Sequence, residues 1–243
     1  MKPDYALSFS SANRNPFHVI LIILLATGTL VHAQVSDSAW MKSVPGPKFE
    51  FPYLPATLIA AGIITNGNGS ESLKKEIAEA RNESIPHFRT HVDDILQFAP
   101  IGLAYGLDAF GCKSKHDLVN RSVILLKGEI LTNGVVFGLK KITHELRPDG
   151  SAFTSFPSGH TAQAFAAATF LSEEYKDKIK WMPYLAYGIA STVGVLRMAN
   201  NKHYVSDVLA GAGIGMLSMK LAYATHQYKW GRGKANRMDY KIK

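Results

Sequence analysis

Residues 156–171 read FPSGHTAQAFAAATFL, a short polar turn followed by an uncharged apolar run. Pro, Ser and Gly favour turns, and Ser158 is of a type that caps helix N-termini. The run from Thr161 predicts an apolar helix that begins at this turn. Because the first N–H groups of a helix have no partner within it, they bind anions. We therefore expect Gly159 and His160 to lie beside a bound anion, the alternative being an ordinary capped helix.

On both sides of this segment the chain continues in apolar stretches, and the alternation typical of strands is scarce. The predicted apolar helices are 54–65, 95–110, 118–139, 160–172, 181–196 and 205–225, and 71–81 is predicted as a charged surface helix. The predicted fold class is all-α, a bundle of about five to six apolar helices that is membrane-embedded or membrane-associated.

The composition limits the classes of function. The 243 residues include 27 Lys and Arg, 19 Asp and Glu and one cysteine, for a net charge of +8. A single cysteine excludes an internal disulfide and a Cys-rich zinc site. The positive charge favours an anionic partner, which is a nucleic acid, a membrane surface or a phosphate ester. No nucleic-acid-binding module is recognisable, so the predicted partners are a phosphate ester and a membrane.

The N-terminus has the three-part pattern of a secretory signal peptide. Residues 19–31 are uncharged and apolar, basic residues precede them, and a small-x-small site ends at Ala33. Cleavage after Ala33 is the prediction, and an uncleaved anchor is the alternative. The predicted divisions are a signal peptide at 1–33, an extended linker at 34–53, a helical domain at 54–228 and a basic tail at 229–243.

Export places the predicted active site in the periplasm. If residues 54–65 do not span, five later crossings leave the loops with the polar motifs outside the cytoplasm, in agreement with the positive-inside rule. A periplasmic bundle that lies on the membrane without spanning it is the alternative. The expected location is the inner membrane, integral or peripheral, and the outer membrane is a further alternative.

A pair of cations follows the predicted helix 118–139. Lys140 and Arg147 are seven residues apart, so they would share one helix face if the helix persists, with Pro148 ending it. Two cations on one face suit an oxyanion such as phosphate. The alternative is a solvated basic helix end.

A third polar cluster separates two apolar helices. It contains Arg197, His203 and Asp207, and the last two are four residues apart, on one face of a predicted helix. This spacing lets the carboxylate orient the imidazole, leaving the other ring nitrogen free to attack. The alternative is a surface His/Asp pair.

Together the three clusters read Lys-x6-Arg-Pro, Pro-Ser-Gly-His and Arg-x5-His-x3-Asp, each between apolar helices. In this order they resemble the type 2 phosphatidic acid phosphatase superfamily, which includes bacterial class A acid phosphatases and vanadium haloperoxidases. The resemblance covers residues 98–225. One position departs from the family pattern, because Leu196 precedes Arg197 where Ser is usual.

The resemblance implies a phosphatase that works through a phosphohistidine intermediate, without a metal or other cofactor. His203 would attack phosphorus, Asp207 would polarise His203, and His160 would protonate the leaving oxygen. The implied phosphate-binding residues are Lys140, Arg147, Ser158, Gly159 and Arg197.

The expected substrates are phosphate monoesters or diphosphates of lipids: phosphatidic acid, phosphatidylglycerol phosphate, polyprenyl diphosphate or lipid A. The alternatives are a non-specific periplasmic acid phosphatase, a vanadate-dependent haloperoxidase and a non-catalytic phosphate-binding membrane protein.

One segment offers a competing interpretation. The stretch PHFRTHVDD contains His87, His91, Asp93 and Asp94. Imidazole and carboxylate groups both bind zinc in proteins. The same pattern is also a plain helix start, in which Asp is favoured. His144 does not match a fixed position of the first motif, and we expect no role for it.

Overall fold

The computed structural model describes residues 53–67 and 72–227. Within these ranges the chain is helical and has no strand, which confirms the predicted all-α class. The helices are α1 Tyr53–Thr65, α2 Leu73–Ser84, α3 Val92–Leu96, α4 Ala99–Ala109, α5 Leu118–Thr143, α6 Gly159–Tyr175, α7 Met182–Ala199 and α8 Val205–Ala224. The predicted signal peptide, residues 34–52 of the linker and the basic tail lie outside the described residues.

One predicted helix is divided in two. Residues 95–110 were predicted as a single apolar helix, whereas α3 ends at Leu96 and α4 begins at Ala99. Pro100 lies in the first turn of α4, where its missing N–H and fixed φ are tolerated. The break gives α3 a direction of its own, and α3 packs against α7 as well as α6.

The central element of the bundle is α6, which packs against α4, α5, α7 and α8. Nearly all of its side chains from Thr161 to Tyr175 are buried, including Phe170 and Leu171. Burial of each of these two side chains contributes about 2 kcal/mol relative to exposure. A helix buried on every side places its N-terminal turn firmly at one end of the bundle.

Helices α6 and α8 approach each other closely at that end. A Cβ at Gly211 would lie 2.6 Å from the Ser158 carbonyl oxygen, and one at Gly215 would lie 2.1 Å from the Ala162 carbonyl oxygen. Only glycine fits at these positions without a backbone shift. The close approach lets the Ser158 N–H donate to the Asp207 carbonyl oxygen at 3.0 Å, which joins the second motif to the third.

Two described helices, α5 and α8, are long and apolar enough to cross a membrane by length and composition. They differ in burial: α8 is mostly enclosed by the bundle, whereas α5 exposes Leu126, Ile130 and Phe137. An apolar helix with an apolar outer face needs a nonpolar neighbour to cover it.

Candidate active site

The three sequence motifs meet at one end of the bundle. Lys140, near the C-terminus of α5, donates to the Ser155 carbonyl oxygen, and the Ser158 N–H before α6 donates to the Asp207 carbonyl oxygen at the start of α8. His203, in the loop after α7, lies beside the same Asp207. The side chains predicted for the site come from these four ends and from the loops 144–158 and 200–204 between them.

His203 and Asp207 form a buried pair at this end, with 3% and 0% of each residue exposed. His203 Nδ1 lies 3.3 Å from Asp207 Oδ2. The same oxygen accepts from the Tyr204 N–H at 2.9 Å and from the Ser155 hydroxyl at 2.5 Å. The carboxylate is therefore fixed from several directions and holds the imidazole in one orientation.

The spacing of this pair was predicted, but the two residues do not share a helix face. Helix α8 begins at Val205, so His203 precedes it, whereas Asp207 lies in its first turn. The pair forms because the first helical turn brings the Asp207 side chain back toward the preceding loop. There it accepts from the Tyr204 N–H, as acidic residues commonly do at helix N-termini.

The buried imidazole is neutral at neutral pH. Burial lowers the pKa of His203 to about 4, and the opposing effect of Asp207 does not restore it. Since Nδ1 faces Asp207, Nε2 carries the free lone pair when Nδ1 holds the proton. The geometry thus provides a neutral, oriented nitrogen nucleophile.

His160 lies in the first turn of α6, as predicted, and it has a partner that was not predicted. Its Nε2 is 2.8 Å from Asp94 Oδ1, a residue of α3. Asp94 Oδ2 is in turn 3.2 Å from His91 Nδ1. Although partial burial raises the pKa of Asp94, hydrogen bonds with His160 and His91 lower it below its ordinary value.

Arg197 is held by the neighbouring aspartate of α3. Its Nη1 donates to Asp93 Oδ2 at 2.7 Å, and Asp93 Oδ1 accepts from Asn200 at 3.0 Å. Asp93 is fully buried, and Arg197 is nearly so. The Nε of Arg197 is buried and has no hydrogen-bond partner among the described residues, so one donor of this guanidinium is left for a ligand.

The helix carrying Lys140 ends before Arg147, so the condition for a common helix face is not met. Helix α5 stops at Thr143, His144 takes a left-handed φ of 46°, and Arg147 lies in the following loop. Pro148 is therefore not the residue that ends the helix. Lys140 Nζ donates to the carbonyl oxygens of Thr154 and Ser155, which ties this loop to the helix.

Arg147 nevertheless belongs to the cationic cluster. Burial and the neighbouring positive charge of Arg197 lower the pKa of Arg147, which indicates that the two guanidinium groups are close. As in Arg197, the Nε of Arg147 is buried without a hydrogen-bond partner in the described part of the chain. Two guanidinium groups, each with a buried Nε that has no hydrogen-bond partner among the described residues, suit an anion with several oxygens.

Ser158 and Gly159 begin α6, as the sequence predicts. The Ser158 hydroxyl oxygen accepts from the Thr161 N–H at 3.4 Å and lies 2.8 Å from the Thr161 hydroxyl. If Thr161 donates between the hydroxyls, the Ser158 proton is available to a ligand. A Cβ at Gly159 would lie 4.0 Å from Lys140 Cε, so the free end of α6 adjoins the cationic cluster.

Two ion pairs that were not predicted fix the loops around the site. Lys202 Nζ lies 2.6 Å from Asp149 Oδ2, which joins the loop before His203 to the loop that carries Arg147. Lys74 Nζ, from α2, lies 2.6 Å from Glu145 Oε1. Their partners are 53 and 71 residues apart in sequence, so no local pattern indicates them.

The residues predicted as zinc ligands do not come together as a set. Asp93, Asp94 and His160 offer ligand atoms that lie within 4.8 Å of one another, and this group includes neither His87 nor His91. One oxygen of Asp93 is already bound by the cationic Arg197 at 2.7 Å. His144 stacks on Phe153, with ring centroids 4.9 Å apart.

These features define a helical protein with an anion site at one end, in which two histidines and three cations converge on an N-terminal helix turn. Residues 121–231 match the sequence model of the PAP2 superfamily. This match supports the resemblance of the three motifs to that superfamily.

Three similar proteins place the chain among its relatives. It is 31% identical over 229 residues to a lipid A 1-phosphatase of Porphyromonas gingivalis, an alignment with 87% of this chain and 50% of that protein. It is 34% identical over 100 residues to a probable lipid phosphate phosphatase 4 of Arabidopsis thaliana, covering 37% and 30% of the two chains. The crystal structure of Aquifex aeolicus LpxE is 22% identical, with a TM-score of 0.49 over 64% of this chain and 97% of that one. The chain thus spans half or less of the length of these two curated relatives.

Proposed function

We propose that the protein is a phosphatase that hydrolyses phosphate monoesters or diphosphates of lipids through a phosphohistidine intermediate. The observation that carries the proposal is the buried, neutral His203, oriented by Asp207 within a cationic cluster. Arg147 and Arg197 in that cluster each have a buried Nε without a hydrogen-bond partner within residues 53–67 and 72–227. The match of residues 121–231 to the PAP2 superfamily supports the same reaction.

In the first step, Nε2 of His203 attacks phosphorus while the bond from phosphorus to the leaving oxygen breaks. His160 donates a proton to that oxygen, so the product leaves as an alcohol or a phosphate. Asp207 stabilises the positive charge that develops on His203 and keeps its Nδ1 protonated. The product of this step is a phosphohistidine at His203.

In the second step, a water molecule attacks the phosphohistidine. His160, now neutral, accepts a proton from the water, and the electron pair of the N–P bond returns to His203 Nε2. Lys140, Arg147, Arg197, the Ser158 hydroxyl and the Gly159 N–H hold the three equatorial oxygens. Because negative charge spreads over those oxygens in the transition state, these fixed donors supply much of the rate enhancement.

A lipid substrate is supported by the surroundings of the site. Ile95, Ile142 and Phe153, close in sequence to Asp94, Lys140 and Ser155, are 78%, 80% and 53% exposed. Large apolar side chains around a polar site suit a ligand with a phosphate head and apolar chains. The names of the relatives point the same way, and we propose lipid A phosphate as the first substrate to test.

We further propose that the chain is exported and works at the inner membrane with its active site in the periplasm. The exposed apolar face of α5 supports contact with acyl chains. The pattern of residues 1–33 supports export. Protease treatment of intact spheroplasts tests the five-crossing arrangement, since it predicts that the C-terminal tail is protected.

The decisive experiment measures phosphate release by the purified full chain in detergent. The panel contains lipid A, phosphatidic acid, polyprenyl diphosphate and the soluble p-nitrophenyl phosphate, with vanadate as competitor and His203→Ala as control. We expect release from at least one lipid, competition by vanadate and no release by His203→Ala. Release from the soluble ester alone would favour a non-specific acid phosphatase, and release by His203→Ala at the full rate would overturn the proposal.

A further inference from the structure

The exposed histidine of the site has a carboxylate partner that none of the three sequence motifs contains. His160 Nε2 and Asp94 Oδ1 are 2.8 Å apart, and their side chains are 31% and 47% exposed. Asp94 precedes residues 121–231, the region that matches the superfamily. We propose that Asp94 is a positioning residue for His160, one that orients its ring and stabilises the imidazolium that donates a proton to the leaving oxygen.

The ring geometry assigns a separate role to each nitrogen. With Nε2–H donated to Asp94, Nδ1 of His160 is the nitrogen that carries the transferable proton. The buried pair uses the opposite nitrogens, since Asp207 lies beside Nδ1 of His203 and leaves Nε2 free. Each histidine thus has one nitrogen for a carboxylate and one for the substrate.

The charges around His160 show why a carboxylate is needed there. Burial and the positive charge of Arg197, on α7, lower the pKa of His160, and Asp94 and Asp93, on α3, oppose this without fully offsetting it. Asp93 is engaged by Arg197 at 2.7 Å, so its charge is largely matched. Asp94 Oδ1 is 3.9 Å from Arg197 Nη1 but only 2.8 Å from His160 Nε2. Asp94 is therefore the carboxylate that acts chiefly on the His160 imidazole.

A different role for Asp94 makes opposite predictions. Its carboxylate could occupy the place of a phosphate oxygen in the free protein and compete with the substrate. In that case Asp94→Asn would lower KM and leave proton donation unchanged. The positioning role requires instead that kcat falls while KM changes little.

The test compares Asp94→Asn with the unmutated full chain in detergent, using phosphatidic acid and p-nitrophenyl phosphate. An alkoxide needs a proton to leave, whereas p-nitrophenolate leaves without one. We therefore expect kcat for phosphatidic acid to fall by about tenfold or more, with a much smaller loss for the aryl ester. The alkaline limb of the kcat profile should move to lower pH, because the Asp94 carboxylate raises the pKa of His160 and its removal lowers that pKa further.

Matched variants separate positioning from a merely structural role. Asp177→Asn removes a 65% exposed carboxylate paired with Lys115, and it should leave both substrates unaffected. Asp94→Glu, which keeps the charge, should recover part of the loss. In a His160→Asn background, Asp94→Asn should add little, because the residue it serves is absent.

The role of Asp94 rests on the proposed function, but different results would overturn each of them. An unmutated chain without activity on any phosphate ester would overturn the proposed function. An active chain in which Asp94→Asn slows both substrates equally, or lowers KM without a loss of kcat, would overturn the role of Asp94. If Asp94→Asn does not fold, the loss of kcat for phosphatidic acid relative to that for p-nitrophenyl phosphate is measured with Asp94→Glu instead. That comparison decides between these outcomes.

Discussion

The site contains two His–Asp pairs that differ in almost every physical respect. His203 and Asp207 are four residues apart, nearly fully buried and separated by 3.3 Å. His160 and Asp94 are 66 residues apart, half exposed and separated by 2.8 Å. In the proposed reaction, the buried pair makes a bond to phosphorus and the exposed pair transfers protons.

The difference in burial matches the difference in role. A nucleophilic imidazole must be neutral and fixed, and burial supplies both properties. A proton donor must exchange protons with water and with the leaving group, so partial exposure with a carboxylate partner suits it. The two pairs therefore show how one type of residue pair performs two functions when only its surroundings change.

The strongest test of this division is the removal of the buried imidazole. We expect His203→Ala to reduce kcat by at least about 10⁴-fold, since the residue that makes the covalent bond has no substitute. Phosphate release under saturating substrate is the measurement, with circular dichroism to show that the helices are retained. His144→Asn is the matched control, since His144 lies at the same end of the bundle and takes a left-handed φ that Asn tolerates. A folded His203→Ala chain with measurable turnover near the unmutated rate would contradict the division of roles.

The next largest effect is expected when each carboxylate is neutralised in turn. Asp207→Asn should lower kcat by about 10³-fold or more, because Asn neither fixes the tautomer nor stabilises the charge on a buried ring. This loss should exceed that of Asp94→Asn by about two orders of magnitude, since solvent also stabilises an exposed imidazolium. Both variants are compared on one substrate in one assay. Equal losses would show that burial does not distinguish the pairs.

The two adjacent aspartates of α3 should differ in how much each contributes to the stability of the fold. Asp93→Asn removes the nearer carboxylate of the buried Arg197 and leaves only Asp94, at 3.9 Å, so the free energy of unfolding should fall by about 3 kcal/mol. Asp94→Asn should change it by less than about 1 kcal/mol, because this carboxylate is half exposed. Thermal unfolding of the two variants in the same detergent is the measurement. A similar shift for both would mean that Asp93 is not the main support of Arg197.

The two pairs also differ in what the sequence reveals. The pair His203–Asp207 follows from a four-residue spacing, although the prediction of a shared helix face was wrong. Its position at the start of α8 depends on where that helix begins, which the apolar pattern fixed only approximately. The pairing of Asp94 with His160 leaves no local trace, because it depends on how α3 packs against α6 and α7.

The same limit explains the other differences between prediction and structure. The all-α class and the approximate extents of most helices follow from apolar runs and breakers, which are local signals. The predicted helix ends at 139, with a possible continuation to Pro148, whereas α5 ends at Thr143, because the left-handed residue that stops it is His144 rather than glycine. The motif PHFRTHVDD has the ligand types of a metal site, and only tertiary packing shows that Asp93 is bound to a guanidinium.

The smallest expected effect concerns how stability depends on pH. The pKa of His203 is lowered by burial to about 4 from an ordinary 6.5, so between these values the unfolded chain binds one proton more than the folded chain. The contribution of His203 to the free energy of unfolding is therefore greatest above pH 6.5 and is lost as the pH falls toward 4. From pH 6.5 to pH 5 the loss should be about 2 kcal/mol. It should disappear in His203→Gln and persist in His160→Gln, when the unfolding of each variant is measured at both pH values in one detergent. Because each variant is compared with itself, any general loss of stability cancels, and an equal pH dependence in the two variants would show that burial does not keep His203 neutral.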